Sequence, residues 1–353
     1  MSQTYHIIGL MSGTSCDGLD IAYSTFTYTD EWSFEIKKAN TVSFPIDLED
    51  RLKTAHLMSG LDLHLLDVEF GKWMGYQVKS FISNHQIKVD AIASHGHTIF
   101  HQPKHQLTLQ IGNAWALHVA CGTPVINDFR MLDVQLGGQG APLVPIGDQM
   151  LFPSYAFCLN LGGIANISMD IDDKRKAFDI CPFNLLLNHY ANKLDLPYDD
   201  GGKIARSGTL IPGLLAELNE LPYYQNQEAK SLGREDLEIY FEILAQFEQY
   251  KIEDKLHTLV AHYVYQVKKS IATPSGHMLV TGGGAFNKYF METLRNAFEG
   301  QIHISDAKPI LINFKEALLF AFLGVLRLRN EANCLASVTG AIRDNCGGMI
   351  VGM

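Results

Sequence analysis

The chain opens on Ile7-Ile8-Gly9-Leu10-Met11-Ser12-Gly13-Thr14-Ser15-Cys16-Asp17-Gly18-Leu19-Asp20-Ile21-Ala22, an apolar run, a polar glycine turn and a second apolar run. Such a pattern folds as two strands joined at a tight turn. Gly13 and Gly18 let the backbone approach a ligand with no Cβ in the way. Ser12, Thr14 and Ser15 bring hydroxyl and amide donors, and successive amides in a turn form an anion nest. Asp17 and Asp20 can hold a divalent cation, directly or through water. No Gly-Lys-Ser/Thr follows, so this is not a Walker loop. Alone, the segment is more simply a structural hairpin.

Two further glycine turns shift that balance. Ala156–Leu161 enters Gly162-Gly163 and Ile164–Met169 leaves it, repeating strand, glycine turn, strand. His277–Val280 ends in Thr281-Gly282-Gly283-Gly284, and a helix is expected from Asn287 to Phe298. Two strand–turn–strand clamps can grip a polyphosphate from opposite sides. A strand–Gly-Gly-Gly–helix turn lets a flat base lie against bare backbone.

At 353 residues the chain exceeds what one core usually serves, which makes two domains the default. A net charge of −10 argues against nucleic acid and anionic membrane surfaces as partners. It leaves room for a small anionic ligand, which needs only local donors. Cys16, Cys121, Cys158, Cys181, Cys334 and Cys346 form no C-x-x-C pair and read as free thiols in a reducing compartment. Met1 to Tyr5 leads into the first strand without a basic or cleavable apolar leader, and Ala317–Leu326 is too short an apolar run to span a bilayer. A cytoplasmic location is the expectation.

The periodicity gives strands at Tyr5–Met11, Leu19–Phe26, Ser33–Phe44, Val89–Ser94, Leu107–Ile111 and Pro124–Asn127. A helix is expected over Asp62–Ile82, with Leu65, Phe70, Met74, Val78 and Phe81 on its apolar face, and another over Asn113–Cys121, closing at Gly122. The later half gives a strand at Ala177–Asp179 and helices at Asn184–Leu194, Leu256–Ile271 and Lys315–Arg329. The glycine-rich stretch 137–142 marks a junction. The expected domains are 1–136, rejoined by 325–353, and 137–324.

The three turns together resemble the ribonuclease H-like nucleotide fold of actin, hexokinase and the heat-shock chaperone ATPases. That resemblance implies a two-domain α/β protein with a nucleotide cleft between its domains. Nearly the whole chain is further similar to one family, the anhydro-N-acetylmuramic acid kinases. The resemblance is carried by Met11–Gly18, Ser94-His95-Gly96-His97-Thr98, Asp128-Phe129-Arg130, Gly137–Pro145, Asn160–Asn166, Phe178-Asp179, Gly233-Arg234-Glu235, Gly282–Asn287 and Ser337–Ala341, in the family's order.

The resemblance implies that water opens a 1,6-anhydro amino sugar and ATP phosphorylates the freed O6, giving N-acetylmuramic acid 6-phosphate. It places ATP on Gly13, Thr14, Ser15, Cys16, Asp17, Gly18, Leu19 and Asp20, on Gly162 and Gly163, and on Gly282, Gly283, Gly284 and Asn287. Mg2+ accompanies ATP, with Asp17 and Asp20 as candidate ligands. Asp179 sits where the family has its base, after a strand and before Pro182 and a helix. First-turn amides of that helix would hold it ionised; an N-cap role is the competing reading. His97, Thr98, Arg130 and Glu316 are candidates for the sugar, with Arg130 on the lactyl carboxylate. An Asp128–Arg130 ion pair is the plain alternative. The partners expected are therefore the sugar and ATP, with a homodimer left open. Another sugar or acid kinase without ring hydrolysis, or a non-catalytic sensor, are the competing functions.

His95, His97, His101 and His105 do not match a regular tetrahedral zinc spacing. The chain also departs from the family pattern. Ile180-Cys181-Pro182-Phe183-Asn184 stands where Thr-Gly-Pro-Gly-Asn is common, and Leu232 replaces a Thr. The bulky Phe183 is expected to alter the rim of the pocket.

Overall fold

The computed structural model describes residues 3–13, 18–225, 231–233, 235–272 and 275–353. Two compact units divide them: 1–153 with 314–353, and 154–313.

In the first unit the apolar runs form β1 (Gln3–Ser12), β2 (Leu19–Tyr28) and β3 (Trp32–Val42), an antiparallel meander. β4 (Ala91–Ser94) follows a helix, and β5 (His97–Gln102) pairs with β6 (Leu107–Ile111) as a separate hairpin. β7 (Val125–Asn127) then lies parallel to β4, which lies parallel to β1. The six-stranded sheet runs Met349–Val351, β7, β4, β1, β2, β3.

Alternation along β1 sorts its side chains onto two faces. Ile8 and Leu10 join a core with Phe70, Met74 and Val78 of the helix Gly60–His85. That helix buries Leu66 where the spacing had suggested Leu65, because 66, 70, 74 and 78 keep strict i, i+4 steps. Ser59 caps its start by accepting from the Asp62 amide at 3.2 Å.

Gly9 faces the other way, onto the helix Pro309–Leu328. A Cβ at Gly9 would overlap the Ala317 carbonyl oxygen, and one at Gly324 would meet the Ala93 methyl at 2.7 Å. Bare backbone at both points lets helix and sheet touch. The helix was expected to start at Lys315; it starts at Pro309 and kinks at Phe314 (φ −119°). By length and apolarity it resembles a membrane span. Residues Ala317–Leu326 are nevertheless all buried in protein.

The second unit repeats the plan with β8 (Phe157–Leu161), β9 (Ile164–Ile171), β10 (Lys174–Pro182), β11 (Gly276–Thr281) and β12 (Ile302–Ser305). Their order is β10, β9, β8, β11, β12. The first three are antiparallel, and β11 runs parallel to β8 and β12. Both sheets thus contain a meander extended by two parallel strands, to which the first adds Met349–Val351, antiparallel to β7. The helices Asn184–Asn192 and Ile252–Lys269 contribute Leu186, Tyr190, Leu259, Tyr263 and Val267 to this unit's core. The helices Val144–Leu151, Pro212–Asn219 and Glu238–Ala245 were not legible beforehand.

The division falls after Pro153 and after Asn313, where the expected bounds were 136, read from the glycine-rich stretch, and 324. A buried carboxylate explains the first shift. Asp133, fully enclosed, accepts from the Gly140 amide (2.8 Å), Cys334 Sγ (3.0 Å), Thr339 Oγ1 (2.8 Å) and Asn345 Nδ2 (2.9 Å). The glycine-rich stretch is thereby tied to the C-terminal segment. Lys315 and Asp148 form a buried ion pair at 2.7 Å, which ties the helix Val144–Leu151 to the start of the C-terminal segment.

Gly9→Ala should lower the unfolding free energy by about 3 kcal/mol or more, because backbone must retreat from backbone. Gly60→Ala, in open space at a helix start, should be neutral or stabilising by about 0.5 kcal/mol. Urea titration of both variants reads the contrast.

Candidate active site

In the second unit, the turn Gly162–Gly163 is fixed by the start of the helix Asn184–Asn192. The Gly163 carbonyl accepts from the amides of Phe183 (2.8 Å) and Leu185 (3.2 Å), and the Gly162 carbonyl from that of Asn184 (3.3 Å). Asn184 Nδ2 donates to the Leu161 carbonyl at 3.1 Å. Amides that a helix start leaves without intrahelical partners are thus spent on the turn.

Phe183 is fully buried rather than on a rim. Its ring packs on Tyr263 (centroids 4.9 Å) and edge-on to Phe290 (4.8 Å). A Cβ at Gly284 would collide with that ring, and one at Gly282 would press on Asn160 Oδ1 and the Leu161 backbone at 2.7–2.8 Å. Gly282 also has φ +79°, which favours glycine. The Gly283 position is open. Asn287 caps the helix Lys288–Ala297 by accepting from the Phe290 amide at 3.0 Å.

Beside this turn lies a cavity of about 480 Å³. Gly283, Gly284 and Asn287 line it together with Asn188, Tyr198 and Phe286. Its wall 199–202 is shaped by Asp199, whose carboxylate accepts from the amides of Ile204 and Ala205, each at 2.9 Å. The volume and the mix of bare backbone, amides and aromatic rings suit a small ligand with a flat ring.

Asp179 stands on β10, opposite Asn166 and just before a bulge at 179/181. Its Oδ2 accepts from the Leu232 amide at 2.9 Å, and its backbone carbonyl accepts from the Tyr223 hydroxyl at 2.6 Å. Partial burial pushes the carboxyl up to about 6, with the Leu232 amide opposing. The sequence had suggested an acid kept low by first-turn amides of the next helix. Those of Phe183, Asn184 and Leu185 serve Gly162 and Gly163 instead, and desolvation wins. The N-cap alternative fails too, since no side-chain cap bond forms there.

In the first unit, β1 ends at Ser12, whose Oγ meets His97 Nδ1 at 2.9 Å. Burial lowers His97 to about 4. Arg130 gives Nε and Nη2 to His95 Nε2 at 3.1 and 2.9 Å, and Nη1 to the Gly140 carbonyl at 2.7 Å. His95 donates from Nδ1 to the Gly96 carbonyl (2.9 Å), so its Nε2 is an acceptor and the ring is neutral. Burial, with the Arg130 charge, holds it well below the usual histidine range. Arg130 therefore rests on neutral partners, not on Asp128. Burial lowers Arg130 to about 10, and Glu316 opposes that shift. Solvent reaches Glu316, yet its crowded surroundings and the Asp20 charge push its carboxyl up, against Arg130 and Lys315. Asp20 accepts from Thr41 Oγ1 at 2.5 Å. Thr98 receives a long bond of 3.4 Å from Gln110.

The expected residues thus fall into groups within each unit. Gly282, Gly283, Gly284 and Asn287 border one turn; Gly162 and Gly163 form another, joined to it through Phe183. Arg130, Glu316 and Asp20 interact electrostatically. Leu19 is a core side chain of the first unit. Gly18 has φ +149°, and a Cβ there would press on the Val42 carbonyl at 2.7 Å. Thr14, Ser15, Cys16 and Asp17 lie outside the described residues, as does Arg234. Among the described residues no cluster of three or more His, Cys, Asp or Glu side chains is set to hold a metal ion. Sequence reasoning missed His95 as the partner of Arg130, although it lies in the Ser-His-Gly-His-Thr motif. It also missed Tyr198 and Phe286 beside the cavity, and Tyr223 at Asp179, for which no motif gave a signal.

A meander extended by two parallel strands, present in both units and carrying glycine turns at strand ends, is the ribonuclease H-like plan. The class is an α/β phosphotransferase with an alcohol acceptor. The model of the family "Anhydro-N-acetylmuramic acid kinase" matches residues 5–352, and the chain belongs to that family. Relatives of that name include proteins of Sulfurimonas denitrificans, 33% identical over 99% of this chain and 100% of the relative, and of Shewanella sp., 34% identical over 98% and 97%. Among solved structures, component A of the (R)-2-hydroxyglutaryl-CoA dehydratase of Acidaminococcus fermentans aligns at 12% identity and a TM-score of 0.42, over 90% of this chain and 96% of that one.

Phe183→Ala should cost about 3–5 kcal/mol of stability through the cavity left under Gly284. If Phe183 were a rim residue the loss would stay below about 1 kcal/mol; thermal unfolding separates the two.

Proposed function

We propose that this chain converts 1,6-anhydro-N-acetylmuramic acid and ATP to N-acetylmuramic acid 6-phosphate and ADP, with Asp179 as the base. The observation that carries this is the state of Asp179. A carboxyl lifted to about 6 is mostly ionised near pH 7, yet basic enough to take a proton. Water attacks C1, its proton passes to Asp179, and the C1–O6 bond breaks. The electron pair stays on O6, which attacks the γ-phosphorus in line as ADP departs.

The remaining roles follow the chemistry of the groups. The cavity beside Gly283, Gly284 and Asn287 takes the base of ATP, and the turn Gly162–Gly163 takes phosphate; the family motif over 13–18 supports a phosphate role for those residues as well. Arg130 binds the lactyl carboxylate. Its hydrogen-bond partners His95 and Gly140 are uncharged, so the bonds that orient it do not compete with an incoming carboxylate, and Glu316 is the charge that does. His97, Thr98 and Glu316 bind the sugar's polar groups. The donor chemistry suits a divalent cation, since Asp20 on β2 presents a carboxylate oxygen of the kind such an ion takes. Mg2+ held through Asp17 or Asp20 would neutralise charge on the triphosphate. The protein works in the cytoplasm, a compartment that suits six cysteines with no C-x-x-C pair among them.

Asp179→Asn should reduce kcat by about 10²–10⁴-fold with ATP binding retained. The base must be ionised, so kcat/KM should rise with pH through about 6 and flatten above it. Reaction in ¹⁸O-water should place the label at C1. Label-free product, or a variant of full activity, would reject hydrolysis by this residue.

A further inference from the structure

Asp179 is gripped twice by one connector. Tyr223 lies in the short turn Pro222–Gln225, and its hydroxyl donates to the Asp179 backbone carbonyl at 2.6 Å. Leu232, a few residues on, gives its amide to the Asp179 carboxylate at 2.9 Å. The two contacts fix the peptide and the side chain separately. They act at a bulge, where the β9–β10 ladder shifts register and holds the backbone less firmly.

The turn is itself anchored. Tyr224 is buried next to Tyr223 and takes part in a hydrogen-bonded row whose directions can be assigned. Asn219 Oδ1 accepts from Gln266 Nε2 (2.8 Å) and from His262 Nδ1 (2.7 Å). His262 therefore carries its proton on Nδ1, and Tyr224 donates to its Nε2 at 3.0 Å. Tyr240 in turn donates to the Tyr224 oxygen at 2.7 Å. Lys269 Nζ donates to the Tyr224 carbonyl at 3.1 Å. Burial lowers His262 to about 3, so the row keeps one protonation pattern across the working pH range. Its anchors lie on the helices Pro212–Asn219, Glu238–Ala245 and Ile252–Lys269. A rigid base thus supports a single hydroxyl directed at the backbone of Asp179.

We infer that Tyr223 is a positioning residue: its hydroxyl pins the β10 bulge so that the Asp179 carboxylate stays on the Leu232 amide and at a fixed angle to the attacking water. The inference rests on Asp179 being the base. Small displacements of a reacting group are costly in rate, while binding energy elsewhere is untouched. Release of the carboxylate from Leu232 would also remove the bond that lowers its pKa. Cys181, Tyr240 and Asp236 are the other titratable groups that act on Tyr223.

The test compares Tyr223→Phe, Tyr240→Phe and Asp179→Asn in the full chain with ATP and the anhydro sugar. Tyr223→Phe should lower kcat about tenfold, leave both KM values within about twofold, and move the acidic limb of the pH profile upward. Tyr240→Phe removes a hydroxyl from the anchoring row but leaves the Tyr223–Asp179 bond itself in place, and should lower kcat clearly less than Tyr223→Phe does. Unchanged kcat and pH limb in Tyr223→Phe would overturn the inference. An equal loss in Tyr240→Phe would also overturn it, by showing general softening. Wild-type turnover in Asp179→Asn would instead remove the base assignment beneath it. Should Tyr223→Phe fold poorly, carboxyl titration of ¹³C-labelled protein on its folded fraction decides the question: an Asp179 pKa equal to wild type rejects the inference.

Discussion

The second unit depends on how one aromatic ring is enclosed. Phe183 lies between Tyr263 and Phe290, beneath a glycine that must have no side chain. Its amide holds the Gly163 carbonyl and its own carbonyl accepts from Tyr263 at 3.3 Å. One residue therefore joins the β8–β9 turn, the turn after β11 and the helix Ile252–Lys269. A buried Phe side chain contributes about 1.5–3 kcal/mol by area alone. Its larger consequence is geometric, since the two glycine turns cannot move independently while the ring is packed. The departure from the family pattern at this position is absorbed by the core.

The first unit has a comparable centre with different physics. Asp133 places its carboxyl group in a site closed to solvent, where four donors satisfy it. Three of these come from the C-terminal segment, and the fourth from Gly140. The carbonyl of that same Gly140 accepts from Arg130. Position is thus relayed from the chain's end to the arginine through hydrogen bonds that a buried carboxylate cannot lose cheaply. His95 completes the seat without a countercharge. An arginine supported this way is oriented by uncharged groups, while Glu316 acts on it through charge alone.

Asp179 shows why proximity in sequence is a poor guide to electrostatics. The helix that follows it by a few residues looked like its source of amides. Those amides close the Gly162–Gly163 turn, and a single amide from a distant connector serves the carboxylate. Burial then outweighs the hydrogen bond and raises the pKa. The outcome is a stronger base than the local sequence implied.

Much of the framework was legible from local pattern. Period-two and period-3.6 hydrophobicity located ten of the strands and most long helices, and glycines at strand ends marked the turns. Short helices such as Val144–Leu151 and Pro212–Asn219 carried too little periodicity to stand out. The unit boundary was misplaced because glycine content records local freedom, whereas Asp133 and the Lys315–Asp148 pair are contacts between distant segments. The sequence by itself determined the family, the strand-and-turn order and the chemical types at the site. Only tertiary structure decided which amide reaches Asp179, that His95 seats Arg130, and that Phe183 is core. Hydrogen bonding and desolvation depend on what surrounds a group in space, and residues far along the chain supply those surroundings.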